Sequence, residues 1–252
     1  MLLEDKNAVI YGGAGSIGGA VARAFAREGA RVFLAGRTLE RLDAVAAEIH
    51  SAGGVAETAA VDALDERSVD AHADAIASEA GGIDVSFNVI THPHTHGTPM
   101  VEMTADDYVR PAETAVRTTF LTARAAARHM IAQRSGVILA FGGSGDPLRD
   151  YYIGGTQVAF EAIESMRRQL SAELGPHGIR VVTLRTGGVP ESLATGFEGR
   201  EAIVEGIEKL TLLGRAATLE DVGNVAAFVA SDRARSMTAA TANISCGALI
   251  DY

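Results

Sequence analysis

The chain has one cysteine, Cys246, and two lysines, Lys6 and Lys209, among its 252 residues. A single thiol excludes an internal disulfide and a cysteine-rich zinc site, and it suits a reducing compartment such as the cytoplasm. Positive charge is in deficit: 22 Lys and Arg stand against 32 Asp and Glu, a formal charge of -10. No basic face emerges from that balance, which argues against nucleic acid or an anionic membrane as a partner. Long apolar runs are missing as well. Nothing approaches a membrane span, and the opening MLLEDKNAV carries acid where a signal peptide carries a basic region. Linkers, low-complexity runs and internal repeats are absent, and the 28 glycines are spread through turns.

With 47% hydrophobic residues the chain can bury a sizeable core, and residues 1–252 read as one α/β domain. Its organising stretch is residues 8–20, AVIYGGAGSIGGA. A short apolar strand, 8–11, runs into a glycine cluster and then into a pattern in which Ile17, Ala20, Val21, Ala24 and Phe25 share one helical face. Gly13, Gly15 and Gly18 satisfy G-x-G-x-x-G in this strand, turn, helix setting. Glycine turns also join strands to helices where no ligand binds, but this setting favours a dinucleotide. Backbone without side chains can approach a pyrophosphate while the helix N-terminus presents free N–H groups. Gly12, Gly13, Ala14, Gly15, Ser16, Ile17 and Gly18 are therefore expected at the cofactor. Further apolar segments at 31–35, 58–61, 85–88, 137–141, 180–184 and 242–245 are mostly separated by stretches long enough for helices. The expected fold is a doubly wound, Rossmann-type parallel sheet of about seven strands with helices on both faces, because strands buried on both sides lose their polar/apolar alternation.

Several separate stretches resemble one family. Ile83-Asp84-Val85 followed by Asn88, the run Glu164 to Leu174 with His177-Gly178-Ile179-Arg180-Val181, Leu213-Gly214-Arg215 with Glu220-Asp221-Val222, and Ser231-Asp232 with Thr238 all match its text. Over essentially its whole length the chain resembles a short-chain dehydrogenase/reductase. The resemblance implies a nicotinamide dinucleotide and hydride transfer to or from a small-molecule substrate. It also implies a homo-oligomer, dimer or tetramer, paired through two long helices at about 112–133 and 157–174.

An acidic residue after the second strand suits the ribose of NAD(H), whereas an arginine there suits a 2′-phosphate. This chain has Gly36-Arg37-Thr38, where Arg37 can pair with the phosphate and Thr38 can donate its hydroxyl, so NADP(H) is expected over NAD(H). By resemblance, Asp62 and Ala63 face the adenine, and Asn88, Val89 and Ile90 form the loop behind the adenosine ribose. Gly187 and Val189 belong to the segment against the nicotinamide carboxamide. Departures are visible: Val89, Ile90 and Thr91 stand where the family has Asn, Ala and Gly, and Ser16 replaces a motif glycine.

In the family a tyrosine donates the proton, a following lysine lowers its pKa and binds the nicotinamide ribose, and a preceding serine holds the carbonyl oxygen. Anchored on Ile163 to Leu174, an ungapped match puts Thr156 at the tyrosine, Phe160 at the lysine and Gly143 at the serine; anchored on Phe120-Leu121, Ala115 falls at the family's asparagine. Neither lysine of the chain lies on this helix, so no frame shift restores the pair. Phe160 can neither bond a ribose nor carry charge, and a threonine hydroxyl is a far weaker acid than a phenol of pKa about 10. Two stretches offer replacements. Tyr152 sits in a Tyr151-Tyr152 pair beside Arg149 and Asp150, where a guanidinium lowers a phenol's pKa. Thr91-His92-Pro93-His94-Thr95-His96 follows the fourth strand, and His92 or His94 there can titrate near neutrality. The candidate catalytic residues are Tyr152, His92 and Thr156. No metal site is expected, since the histidines have no carboxylate or cysteine at ligand spacing.

Residues 190–213 read as a substrate-covering lid with Phe197, Ile203, Val204 and Leu210 as lining, or equally as a small packed helical hairpin. The leading reading is an NADP(H)-dependent oxidoreductase with a non-standard proton donor, acting on a C=O, activated C=C or C=N bond. A non-catalytic NADP(H)-binding protein and a non-redox lyase or cyclase on the same scaffold remain open beside it.

Overall fold

The computed structural model describes residues 1–93, 97–143, 152–193, 196 and 199–251. Strands β1 (Asn7–Tyr11), β2 (Arg31–Gly36), β3 (Val55–Ala60), β4 (Val85–Asn88), β5 (Gly136–Gly142), β6 (Ile179–Thr186) and β7 (Ala240–Ile244) form one parallel sheet in the order β3-β2-β1-β4-β5-β6-β7. Seven helices lie among the described residues: α1 (Ser16–Arg27), α2 (Leu39–Ser51), α3 (Glu66–Ala80), α4 (Ala105–Gln133), α5 (Thr156–Leu174), α6 (Arg200–Leu210) and α7 (Leu219–Ala230). None is long and apolar enough to cross a membrane.

The inner strands bury both of their faces, so two apolar layers flank the sheet. On one side Ala8, Ile10, Val32 and Leu34 meet Val21 and Phe25 of α1, Leu42 of α2 and Val222 of α7. On the other, Val9, Tyr11, Phe33 and Ala35 meet Val69 and Ile76 of α3, Leu121 and Met130 of α4 and Leu174 of α5. Burial of each large side chain contributes about 1.5–3 kcal/mol before chain entropy is subtracted. The register pairs Ala8 with both Val32 and Val85, which places β1 inside the sheet between β2 and β4, parallel to both.

Two boundaries differ from the sequence expectation. The third strand begins at Val55, three residues before the expected 58, because it is the sheet edge and its side chains are largely half-exposed. The helix expected from Ala112 begins at Ala105, where Thr104 Oγ1 accepts from the Asp107 N–H at 3.1 Å and caps it. Pro111 is buried inside that helix and forgoes one backbone bond without ending it. Across the α3–α4 seam, Arg124 reaches Glu66 and Asp70 at 2.5 and 2.8 Å, and His129 reaches Asp74 at 2.8 Å. These pairs are largely solvated and hold register more than they add stability.

Beneath that seam His72 packs edge-on to Tyr11, ring centroids 5.7 Å apart. Burial pushes the Tyr11 phenol far above its ordinary value, reinforced by the charge of Asp70, and lowers the His72 imidazole to about 4. His72 therefore folds neutral, while in the unfolded chain it titrates near 6.5. The unfolded state binds the extra proton, so this stability is present above pH about 6.5 and is lost as pH falls towards 4. The full window is worth on the order of 3 kcal/mol. His72→Phe is expected to flatten that part of the curve: the unfolding free energy of the wild type should fall by roughly 2–3 kcal/mol more than the variant's between pH 7 and 4.5. Equal losses in urea titrations of the two proteins would contradict the assignment.

Candidate functional site

In an open parallel sheet, ligands bind outside the carboxyl ends of the strands where the winding reverses, here between β1 and β4. A cavity of about 600 Å³ opens at that place. Gly12, Ala14 and Gly15 form its floor, Arg37, Thr38 and Arg41 one end, Asp62 and Ala63 a side, and Val89, Ile90 and His92 the other end, with Thr114 and Thr118 of α4 above them.

The floor is set by close backbone packing. Gly12 has φ +94°, and a side chain there would begin 2.7 Å from the Val89 carbonyl oxygen. At Gly18 it would begin 2.2 Å from the carbonyl oxygen of Gly12. Only hydrogen fits at either position, so the loop after β1 can turn sharply into α1. Gly13 faces inward against Leu34, and Ser16, Ile17 and Gly18 form the first turn of α1. No side chain caps that helix, whose N-cap is Gly15, and its leading N–H groups are left for an anion.

At the opposite end, Thr38 is the N-cap of α2 yet its hydroxyl makes no capping bond. Arg37 and Arg41 stand exposed beside it, one just before the cap and one in the first turn of α2, without a carboxylate partner among the described residues. The sequence reading found Arg37 and Thr38 but missed Arg41. The available signal was its place in the first turn of the helix that follows Arg37 and Thr38.

Several expected contacts are placed elsewhere. Asn88 does not line the cavity: buried, it accepts from the Ile90 N–H at 2.9 Å and donates to Thr122 Oγ1 at 3.2 Å, so it positions the loop after β4. Gly187 lies against Ser245 and Ala248, and Val189 is in the core, so neither faces the cavity. Tyr152 is half-exposed and does not line it either; its carbonyl accepts from the Gly97 N–H at 2.9 Å, tying the segment before α5 to the loop before α4. Thr156 is buried, and its Oγ1 has no hydrogen-bond partner among the described residues. His94, Arg149, Asp150, Tyr151 and Phe197 lie outside the described residues. In the 190–213 region α6 buries no residue, and Ile207 covers Gly188.

The residues brought together at the ends of β4 and β5 are His92, Gly143 and Phe160. The Phe160 ring fills the space over Gly143, where a Cβ would begin 2.5 Å from the ring carbon Cε2. The His92 imidazole meets the same ring edge-on, centroids 5.7 Å apart and planes at 69°. Of the titratable side chains lining the cavity, Arg37, Arg41 and Asp62 follow β2 and β3, and His92 follows β4. Among the described residues no group of three His, Cys, Asp or Glu side chains is placed to hold a metal ion.

Comparison with known proteins adds to this geometry. The family described as Enoyl-(Acyl carrier protein) reductase matches residues 12–248. A sorbitol dehydrogenase of Cereibacter sphaeroides is 31% identical over 98% of each chain. An L-rhamnose 1-dehydrogenase (NAD(P)(+)) of Azotobacter vinelandii is 30% identical over 100% of this chain and 99% of its own. Among solved structures, a short-chain type dehydrogenase/reductase from Mycobacterium marinum is 28% identical, with a TM-score of 0.87 over 99% of this chain and 97% of that one.

Asn88→Ala removes the bond to the Ile90 N–H and the donation to the Thr122 hydroxyl of α4. It should cost about 2 kcal/mol of unfolding free energy by chemical denaturation. A loss under about 0.5 kcal/mol would show that the loop is held by other contacts.

Proposed function

This chain belongs to the short-chain dehydrogenase/reductase family, and we propose that it is an NADP(H)-dependent oxidoreductase reducing a C=O, activated C=C or C=N bond of a small molecule, with His92 as proton donor. Oxidoreductase chemistry of the family type follows from membership. The choice of nucleotide and of proton donor is argued from residues.

The cavity fits a phosphorylated dinucleotide. Gly12 and Gly18 bring bare backbone and the open N-terminus of α1 to where a pyrophosphate binds. Arg37 and Arg41 can grip a 2′-phosphate from two sides while Thr38 adds a hydroxyl, and these unspent donors are the observation that carries NADP(H) over NAD(H). When bound, the nicotinamide supplies the hydride. His92 carries the proton: it lines the cavity beside the end of β5 and its ring is braced by Phe160. A protonated imidazole can donate at neutral pH, which Thr156 cannot. On this reading Gly143, Thr156 and Phe160 stand at the positions of the family's serine, tyrosine and lysine, and the site works by substitution within the same frame.

We also assign self-association through α4 and α5. Val109, Val116 and Phe120 stay exposed along α4 around a shallow hollow of about 520 Å³, a surface suited to a second copy.

Fluorescence titration tests the nucleotide. NADPH should bind at least tenfold more tightly than NADH, and Arg37→Ala with Arg41→Ala should weaken NADPH about a hundredfold while changing NADH by less than about threefold. Equal affinities in the wild type would overturn the assignment. His92→Gln should lower kcat about a hundredfold or more with NADPH affinity retained. A variant as active as the wild type would move the proton to another residue, and NADPH binding without oxidation by carbonyl, enone or imine probes would favour the non-catalytic reading.

A further inference from the structure

We propose that Arg185 and Asn243 form a carboxylate-binding site at the carboxyl ends of β6 and β7, held in this structure by the protein's own Asp251, and that an acidic carbonyl substrate takes it by displacing that residue. The inference rests on the hydride-transfer reading above and names its substrate class.

Strand register puts the pair there. Side chains of β6 alternate between the two faces of the sheet: Val182 and Leu184 enter the layer beside α1 and α7, so Thr183 and Arg185 face the α5 side. Arg185 stands opposite Gly142 of β5 and Asn243 of β7. Gly142 precedes Gly143, which packs against the Phe160 ring that His92 also meets. The backbone of Arg185 is therefore one strand spacing, about 4.8 Å, from the chain that enters this corner, at the end of the sheet where ligands bind. On a protein of formal charge -10, an anion needs such a local cation.

The site already holds a carboxylate. Arg185 Nη2 pairs with Asp251 Oδ1, while Asn243 Nδ2 donates to Asp251 Oδ2 at 3.0 Å, so a guanidinium and an amide meet the two oxygens. The guanidinium side chain is mostly covered and the carboxylate side chain is exposed. Residues 245–249 form a turn fixed by its own bonds. Ser245 Oγ accepts from the Leu249 N–H at 3.1 Å, the Ser245 carbonyl accepts from the Ala248 N–H at 3.0 Å, and Asn243 Nδ2 donates to the Leu249 carbonyl at 2.9 Å. Beyond it Ile250 is exposed, so polar contacts and not packing hold Asp251, which can leave while the turn stays. Arg185 Nε is buried without a hydrogen-bond partner among the described residues. Nε and Nη2 share one edge of the guanidinium fork, and a carboxylate free of the chain can take both.

The exchange has a definite sign. Asp251 is tethered beside the site and competes at a high effective concentration, so removing its charge strengthens binding of an added carboxylate. An ion pair that only fastened the chain would leave such binding untouched.

The probes are levulinate, a keto acid, and methyl levulinate, the same ketone without the charge. Calorimetry on protein loaded with NADP⁺ should show the acid binding about tenfold more tightly than the ester. Arg185→Met should bring that ratio to about one, and Asp251→Asn should raise it about threefold further. Equal affinities for acid and ester in the wild type, or a ratio that Asp251→Asn leaves unchanged, would overturn the inference. Asp251→Asn alters an exposed side chain and keeps the test decisive should Arg185→Met fail to fold. Failure of the underlying reading is told apart: NADPH left unoxidised by every carbonyl, enone and imine probe removes hydride transfer, while the acid-to-ester ratio is read without turnover.

Discussion

The close approach of the loops that leave β1 and β4 is the constraint on which the site depends. Both strands end at the same level and their chains depart to opposite faces of the sheet, α1 to one and α4 to the other. The Val89 N–H donates to the Tyr11 carbonyl at 2.9 Å, and the Val89 carbonyl oxygen sits where a Gly12 side chain would begin. Asn88 fixes the β4 loop from behind by bonding α4. The cavity is what remains between two loops that cannot come closer and are not allowed to part. Anything built on it, including the nucleotide end and the His92 end, inherits that geometry.

On this floor two ends have diverged in chemistry. The β2 end concentrates positive charge on an acidic protein, where Arg37 and Arg41 line the cavity with no carboxylate partner among the described residues. At the β5 end, among the described residues, an aromatic ring is interlocked with a glycine. A side chain at residue 143 would overlap the Phe160 ring, so the glycine and the ring are packed as a unit. His92 meets that ring edge-on, and in the mechanism proposed above it is the group that carries the proton.

Much of the fold was legible in the sequence because doubly buried strands leave an unambiguous apolar signature, as in Ala8 to Tyr11 and Val137 to Phe141. The signature fades at the sheet edge, so β3 was placed late. Composition hid the start of α4, where a threonine cap and an interior proline send opposite signals about the same turn. In the site, residues that touch the cavity through short local spacing, such as Gly12, Ala14, Arg37 and Asp62, were foreseeable. Asn88 was found as a residue but not in its role, since its partners are on α4, some thirty positions away. The contact of Phe160 with Gly143 was invisible for the same reason: strand and helix must be docked before ring and backbone meet.

The most direct measurement of the account is a crystal structure with NADPH bound. It should place the 2′-phosphate between Arg37 and Arg41, with the His92 imidazole within hydrogen-bonding reach of the open space over the nicotinamide C4 and the Phe160 ring bordering that space. A phosphate turned away from both guanidinium groups, or a phenol in that space where His92 is expected, would contradict it.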